Sequence, residues 1–298
     1  MKIAIVGVGL IGGSIGLACR QLPTTNYKLH VTGIPRREET IAQAIRMGAI
    51  DEGTINLEAG VAEADLVFIC TPINLIIPTL QKIRASLKPG AIVTDVGSTK
   101  EEIVKKAAKL MPKGTFFVGG HPMAGKEISK LGAAEGNLFG GKVWILIKER
   151  RKQRVDSRKQ NTGVIETLKE VITMMGAKTV EMDAKTHDLV VAGISHLPLA
   201  VAAALVNTVA AEKEKKEMTV AAASGFRDTT RVASGDPELG VGMFKTNKKA
   251  ILKMIGGFKK SMARMERLIK AGNSEAIKKE LEKAKNFRDT IGRQFRVK

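Results

Sequence analysis

Ile3-Ala4-Ile5-Val6-Gly7-Val8-Gly9-Leu10-Ile11-Gly12 decides how the rest of the chain is read. Ile3, Ile5 and Val6 are β-branched and favour an extended strand. Glycines follow at Gly7, Gly9 and Gly12, and residues 11–21 then carry apolar side chains at helical spacing. The order is strand, turn, helix. In that context the first glycine permits a tight turn, the second lets backbone approach a pyrophosphate, and the third lets helix and strand pack closely. Free amides and the dipole at the helix start favour phosphate charge. Gly7, Gly9, Leu10, Ile11 and Gly12 are therefore expected to bind a dinucleotide cofactor.

Outward from this turn, short apolar stretches at 29–33, 66–70, 91–95, 115–119 and 143–147 read as strands. Helix candidates at 38–47, 75–85 and 100–110 lie among them, and a further helix at 163–175 and strand at 178–182 follow. Such alternation predicts a parallel sheet with helices on both faces. The charged run 148–161 reads as an exposed loop or frayed helix start. After Asp183 the strand signals stop, and 185–211, 212–224 and 247–271 have helical spacing. The expected fold is an α/β Rossmann-type domain at 1–183 followed by an all-helical domain at 184–298.

The second strand ends Val31-Thr32-Gly33-Ile34-Pro35-Arg36-Arg37, with no acid before Glu38. An acid at that strand end usually accepts from the ribose hydroxyls of NAD. Arg36 and Arg37 instead suit the 2′-phosphate of NADP, since guanidinium binds phosphate bidentately. NADP is the expected cofactor, with NAD as the alternative. Thr71 and Pro72 follow the next strand and are expected to wall the cofactor.

The chain has 298 residues, 44% of them hydrophobic, enough for an ordinary core. Its formal charge is +19, from 49 basic and 30 acidic residues. The basic residues are spread along helices, and aromatics are only 4%, so stacking platforms for single strands are scarce. Neither nucleic acid nor membrane is an expected partner. No apolar run is read as a membrane span, and the start lacks the pattern of a secretory leader. With Cys19 and Cys70 as its only cysteines, the chain reads as cytoplasmic, with two free thiols. No metal is expected.

Four further segments carry the substrate chemistry. They are Asp95-Val96-Gly97-Ser98-Thr99-Lys100, Gly120-His121-Pro122-Met123-Ala124-Gly125, Ile194-Ser195-His196-Leu197-Pro198, and residues 224–237. With them the chain closely resembles the prephenate/arogenate dehydrogenase family of tyrosine biosynthesis, over nearly its whole length. The resemblance implies oxidative decarboxylation of prephenate to 4-hydroxyphenylpyruvate or of arogenate to tyrosine, in a homodimer built through the helical domain. It implies His121 as the catalytic histidine, a fitting proton acceptor near neutrality. Ser98 would bond His121 or the substrate hydroxyl, and Arg231 would hold the ring carboxylate. Asp228 would orient Arg231 or a neighbour, and Glu127 would pair across the site. His196 reads equally as substrate wall or satisfied core histidine, and His187 as a structural contact. Two departures stand out: Leu199 replaces a second histidine, and Glu238-Leu239-Gly240-Val241 stands where a tryptophan is common. Both resemble the cyanobacterial arogenate-using branch. Other Rossmann-plus-helical dehydrogenases, and nucleotide-sensing or nucleic-acid-binding proteins, are the alternatives weighed.

Overall fold

The structure, a computed structural model, describes residues 1–21, 29–126, 130–148 and 155–295, with backbone alone at 155–162 and 292–295. Two compact units result, Met1–Lys248 and Lys249–Lys298.

The first unit is built on a six-stranded parallel sheet. Its strands are β1 (Lys2–Val6), β2 (His30–Ile34), β3 (Glu52–Gly53), β4 (Leu66–Ile69), β5 (Ile92–Asp95) and β6 (Phe116–Val118). They lie in the order β3-β2-β1-β4-β5-β6. This is the doubly wound order, whose ligand crevice opens at the strands' carboxyl ends where the order reverses, here between β1 and β4. Both faces of the central strands β1 and β4 are apolar, as a sheet covered on two sides requires. Ile3 and Ile5 of β1 enter one core with Leu66 and Phe68 of β4. Ala4 and Val6 enter the other with Val67 and Ile69. The two-residue period of a strand makes this division. The helices over the faces include α1 (Leu10–Arg20), α2 (Glu38–Arg46), α3 (Leu57–Val61), α4 (Ile73–Ile83) and α5 (Glu101–Leu110).

The single sheet expected for all the strands is corrected at Gly119. There the chain leaves β6 and enters β7 (Gly120–Pro122), which pairs antiparallel with β8 (Val143–Ile147). A parallel pair, β8 with β9 (Lys178–Met182), completes a separate three-stranded sheet. A Cβ at Gly120 would stand 2.7 Å from the Asp95 carbonyl oxygen, so only glycine lets the chain cross so close to β5. Of the run 148–161, residues 149–154 lie outside the described residues. Helix α6 (Val155–Met174) begins directly after them.

Beyond β9, α7 (Ala184–Val191) is capped by Asp183, whose carboxylate accepts from the Thr186 amide. A wide π turn, Ala192–His196, leads into α8 (Leu197–Ala211). Pro198 explains the turn: it has no N–H to continue the regular ladder. Residues 184–211 thus form one helical run of 28 residues. By length and composition this run could cross a membrane, which corrects the sequence reading of the apolar stretches. It is joined through buried polar groups to α5, as described below. Helices α9 (Lys215–Ala221), α10 (Ser224–Thr230) and α11 (Pro237–Thr246) complete the first unit. In the second unit α12 (Lys248–Lys270) and α13 (Ser274–Phe295) are joined by an Arg264–Glu280 ion pair of 3.1 Å.

Candidate active site

The crevice between β1 and β4 has the features a dinucleotide requires. Gly7 ends β1 with φ of +96°, a left-handed conformation that disfavours side chains, and its amide donates to the Ile34 carbonyl at 2.9 Å. A Cβ on Gly12 would lie 2.1 Å from the Gly7 oxygen, so α1 rests directly on the turn. Gly9 precedes α1, Leu10 and Ile11 open it, and its first turn holds no acidic residue. Across the crevice Thr71 follows β4, and its buried Oγ1 has no hydrogen-bond partner among the described residues. A buried hydroxyl in that state is waiting for one. Pro72, exposed, leads into α4. Arg36 and Arg37 are exposed just past β2, with Arg37 extended at the head of α2. These groups fit a nicotinamide dinucleotide.

One strand crossing away from this crevice, His121 lies at the centre of β7 opposite Ile145 of β8. Its Nδ1 is 2.9 Å from Nε2 of His187, and Nδ1 of His187 is 2.8 Å from Oδ1 of Asp188. His187 is fully buried and Asp188 nearly so. Asp188 also accepts the backbone amides of Lys100 at 2.7 Å and Glu101 at 2.9 Å. It therefore caps α5 from α7, satisfying two orphan amides at a positive helix end.

This arrangement fixes the protons. The Asp188 carboxylate accepts, so Nδ1 of His187 carries hydrogen. Nε2 of His187 then offers a lone pair, and Nδ1 of His121 donates to it. Nε2 of His121 is then left with a free lone pair. Burial, then the neighbouring His187, Lys100 and His196, hold His121 well below its ordinary value of 6.5. It stays neutral, able to take a proton.

Below the histidines lies a second polar group. Asp95 and Lys100 are both fully buried and form an ion pair. Asp95 also accepts the amides of Gly97 at 2.9 Å and Gly120 at 3.3 Å. Asn247 donates to the Asp188 carbonyl at 2.7 Å and lies 3.3 Å from Nδ1 of His196. His196 is fully buried, its Nε2 has no partner among the described residues, and burial pushes it down to about 4.

The remaining sequence-predicted residues are placed as follows. Ser98 is half-buried between Asp95 and α5, and no hydrogen bond joins it to His121 among the described residues. Nδ1 of His121 is engaged by His187. Arg231 is exposed in the 3-10 turn Arg231–Ser234, which packs against α8. Asp228 pairs with its neighbour Arg227 at 3.0 Å. Glu127 lies outside the described residues. His187, Asp188, Lys100, Asp95 and Asn247 were not chosen as site residues from the sequence. The adjacent pair His187-Asp188 was the available signal; its partner, 66 positions away, was not legible.

Comparison with known proteins gives one consistent result. Residues 18–181 match the family model described as prephenate dehydrogenase, nucleotide-binding domain, and residues 183–283 match its dimerization domain. Prephenate dehydrogenase of Lactococcus lactis subsp. cremoris is 35% identical over 97% of this chain and 77% of its own length. The crystal structure of Synechocystis arogenate dehydrogenase superposes with a TM-score of 0.80 at 34% identity, covering 98% of this chain and 100% of that one. Prephenate dehydrogenase from A. aeolicus, in complex with hydroxyphenyl propionate and NAD+, gives a TM-score of 0.87 at 32% identity, covering 98% of each chain.

Proposed function

Since the chain belongs to the prephenate dehydrogenase family, we propose that it catalyses nicotinamide-dependent oxidative decarboxylation of prephenate or arogenate, with His121 as the base. The observation that carries this reading is the hydrogen-bonded chain Asp188–His187–His121. The substrate of such a reaction has a ring alcohol and, across the ring, a carboxylate. A nicotinamide bound in the β1–β4 crevice would supply the acceptor for the hydride of the alcohol carbon. Nε2 of His121 takes the hydroxyl proton. His187 holds the His121 tautomer that makes this possible, and the charge of Asp188 stabilises the cation that forms. Arg231 holds the ring carboxylate, and its contribution is positioning. Loss of carbon dioxide then makes the ring aromatic, which drives the reaction. Ser98, with no bond to His121 here, is assigned to the substrate hydroxyl. Asp228 and Glu127 are assigned to charge pairing around the substrate, and His196 to the substrate wall.

Gly7, Gly9, Leu10, Ile11, Gly12, Thr71 and Pro72 hold the dinucleotide. Arg36 and Arg37 make NADP the preferred form, because the first acid after β2 is Glu38. The working division of the chain is a dinucleotide part at 1–183 and a helical part at 184–298. The helical part forms a homodimer: α8 is apolar around its circumference, yet Ala202 is its only fully buried residue. Such a face needs cover. The protein acts in the cytoplasm on a small anionic substrate.

A side-by-side assay of both substrates with both cofactors tests the activity. His121→Asn is expected to lose most of its turnover with substrate binding retained. Full turnover in that variant would overturn the assignment.

A further inference from the structure

We propose that Lys100 and Asp95 are positioning residues for the reaction: a buried ion pair that ties the Ser98 segment to the Gly120–His121 strand and keeps a fixed positive charge close to the base. The proposal rests on the reading of His121 as that base.

Neither residue reaches solvent; both side chains are 0% exposed. Lys100 therefore cannot act as an ordinary surface cation or meet a substrate directly in this arrangement. Asp95 ends β5, and Lys100 precedes α5. Three donors converge on the Asp95 carboxyl: Nζ of Lys100, the Gly97 amide and the Gly120 amide. Lys100 and two peptide amides present hydrogen to it, so the carboxyl serves only as an acceptor, the geometry of an ammonium–carboxylate pair.

Stability does not explain such a pair. A buried ion pair costs so much desolvation that apolar residues of similar size often serve as well. Its connections do explain it. Lys100 holds Asp188 through its backbone amide and Asp95 through its ammonium. Asp95 holds Gly120, the residue before His121. His121 meets His187, and His187 returns to Asp188. The contacts close a circuit around the base, drawn from three segments distant in sequence. Lys100 is its one member in contact with both carboxylates. The Lys100 stem also lies against Gly119, where an added Cβ would stand 3.3 Å from Cδ.

The charge matters as well as the tie. Among the described residues, the ionisable groups acting on His121 are Lys100 from the β5–α5 segment, His187 from α7 and His196 from the π turn; Asp95 and Asp188 stand behind Lys100 and His187. Lys100 is the strongest base among them. Its charge opposes protonation of His121, after burial and His187, and so keeps the imidazole available at mildly acidic pH. Burial lowers the Lys100 ammonium from 10.5, and Asp95 works against that fall.

Lys100→Met alone leaves the buried Asp95 carboxyl without its cation, held only by the Gly97 and Gly120 amides, and that variant is expected to fold poorly. The deciding protein is therefore the double variant K100M/D95N, which removes both charges. It is expected to fold, to keep the parent KM for substrate, and to lose about 10²-fold in kcat, the scale of a small misplacement. The His121 imidazole, assigned in the NMR spectrum by comparison with His121→Asn, is expected to titrate at higher pH than in the parent. The acidic limb of the kcat profile should move up with it. A folded double variant with parental kcat and unmoved His121 titration would overturn the proposal. So would parental kcat with a raised substrate KM, the mark of a direct ligand. The NMR titration separates this test from the assignment of the base: turnover surviving in His121→Asn would remove the base, while the titration still reports the Lys100 charge.

Discussion

Asp188→Asn separates geometry from charge at the end of the histidine chain. The parent carboxylate receives three hydrogens: Lys100 N–H at 2.7 Å, Glu101 N–H at 2.9 Å and His187 Nδ1–H at 2.8 Å. Asparagine keeps the shape but offers one oxygen and one NH2 group. If its oxygen faces Lys100 and His187, the NH2 confronts the Glu101 amide and one helix-end donor is orphaned. If it turns over, the NH2 faces Lys100 and forces His187 to accept at Nδ1. His187 must then donate from Nε2, His121 must accept at Nδ1, and its Nε2 carries hydrogen and cannot act as a base. The first arrangement costs stability, about 1–3 kcal/mol for an orphaned donor plus a similar loss from the weakened charged bonds. Both weaken catalysis, and the second removes the general base, a loss of about 10²- to 10⁴-fold. Turnover is followed by nicotinamide reduction with saturating substrate, and stability by urea unfolding. A folded Asn variant with parental turnover would refute the tautomer argument.

Three further outcomes follow from the same geometry. Gly12→Ala pushes a methyl group into the Gly7 oxygen, so α1 must lift from the turn; a cost of about 1–3 kcal/mol and weakened dinucleotide binding are expected, read by fluorescence titration. Replacing Arg36 and Arg37 together by alanine should weaken NADP by roughly tenfold or more while sparing NAD, and equal weakening of both would argue against a 2′-phosphate contact. His196 titrates at about 4 in the folded chain against 6.5 in the open one. The unfolded chain thus binds the extra proton first: the His196 contribution is complete above pH 6.5 and falls away as pH drops towards 4, by roughly 3 kcal/mol. Comparing urea midpoints of the parent and His196→Gln across that window checks it, since the variant should lose less stability on acidification.

The sheet was legible because its strands are short, apolar and β-branched, and because glycines mark the first turn. Strands 143–147 and 178–182 were found at their observed bounds. Their membership of a second sheet was not, since pairing is decided by the crossing at Gly119-Gly120 rather than by composition. The two-residue β3 and the five-residue α3 are too short to leave a periodic signal. At the site, motifs pointed to His121, while its partner was missed. A histidine and an aspartate at the head of an apolar helix look alike whether they cap, pack or relay protons. Only folding brings His187 against His121 and Asp188 against the start of α5. Lys100 was hidden for another reason: lysine in a charged helix start reads as solvated, and nothing local shows that Asp95 draws it inside.

The cap that Asp188 places on α5 has a consequence for observation. The same carboxylate orients the histidines and shelters two backbone hydrogens, those of Lys100 and Glu101. Any fluctuation that swings α7 away exposes both amides to solvent and, in the same motion, releases His187. Exchange of those two hydrogens with deuterium therefore counts how often His187 and His121 come apart. Two silent peptide groups become a clock for the readiness of the site.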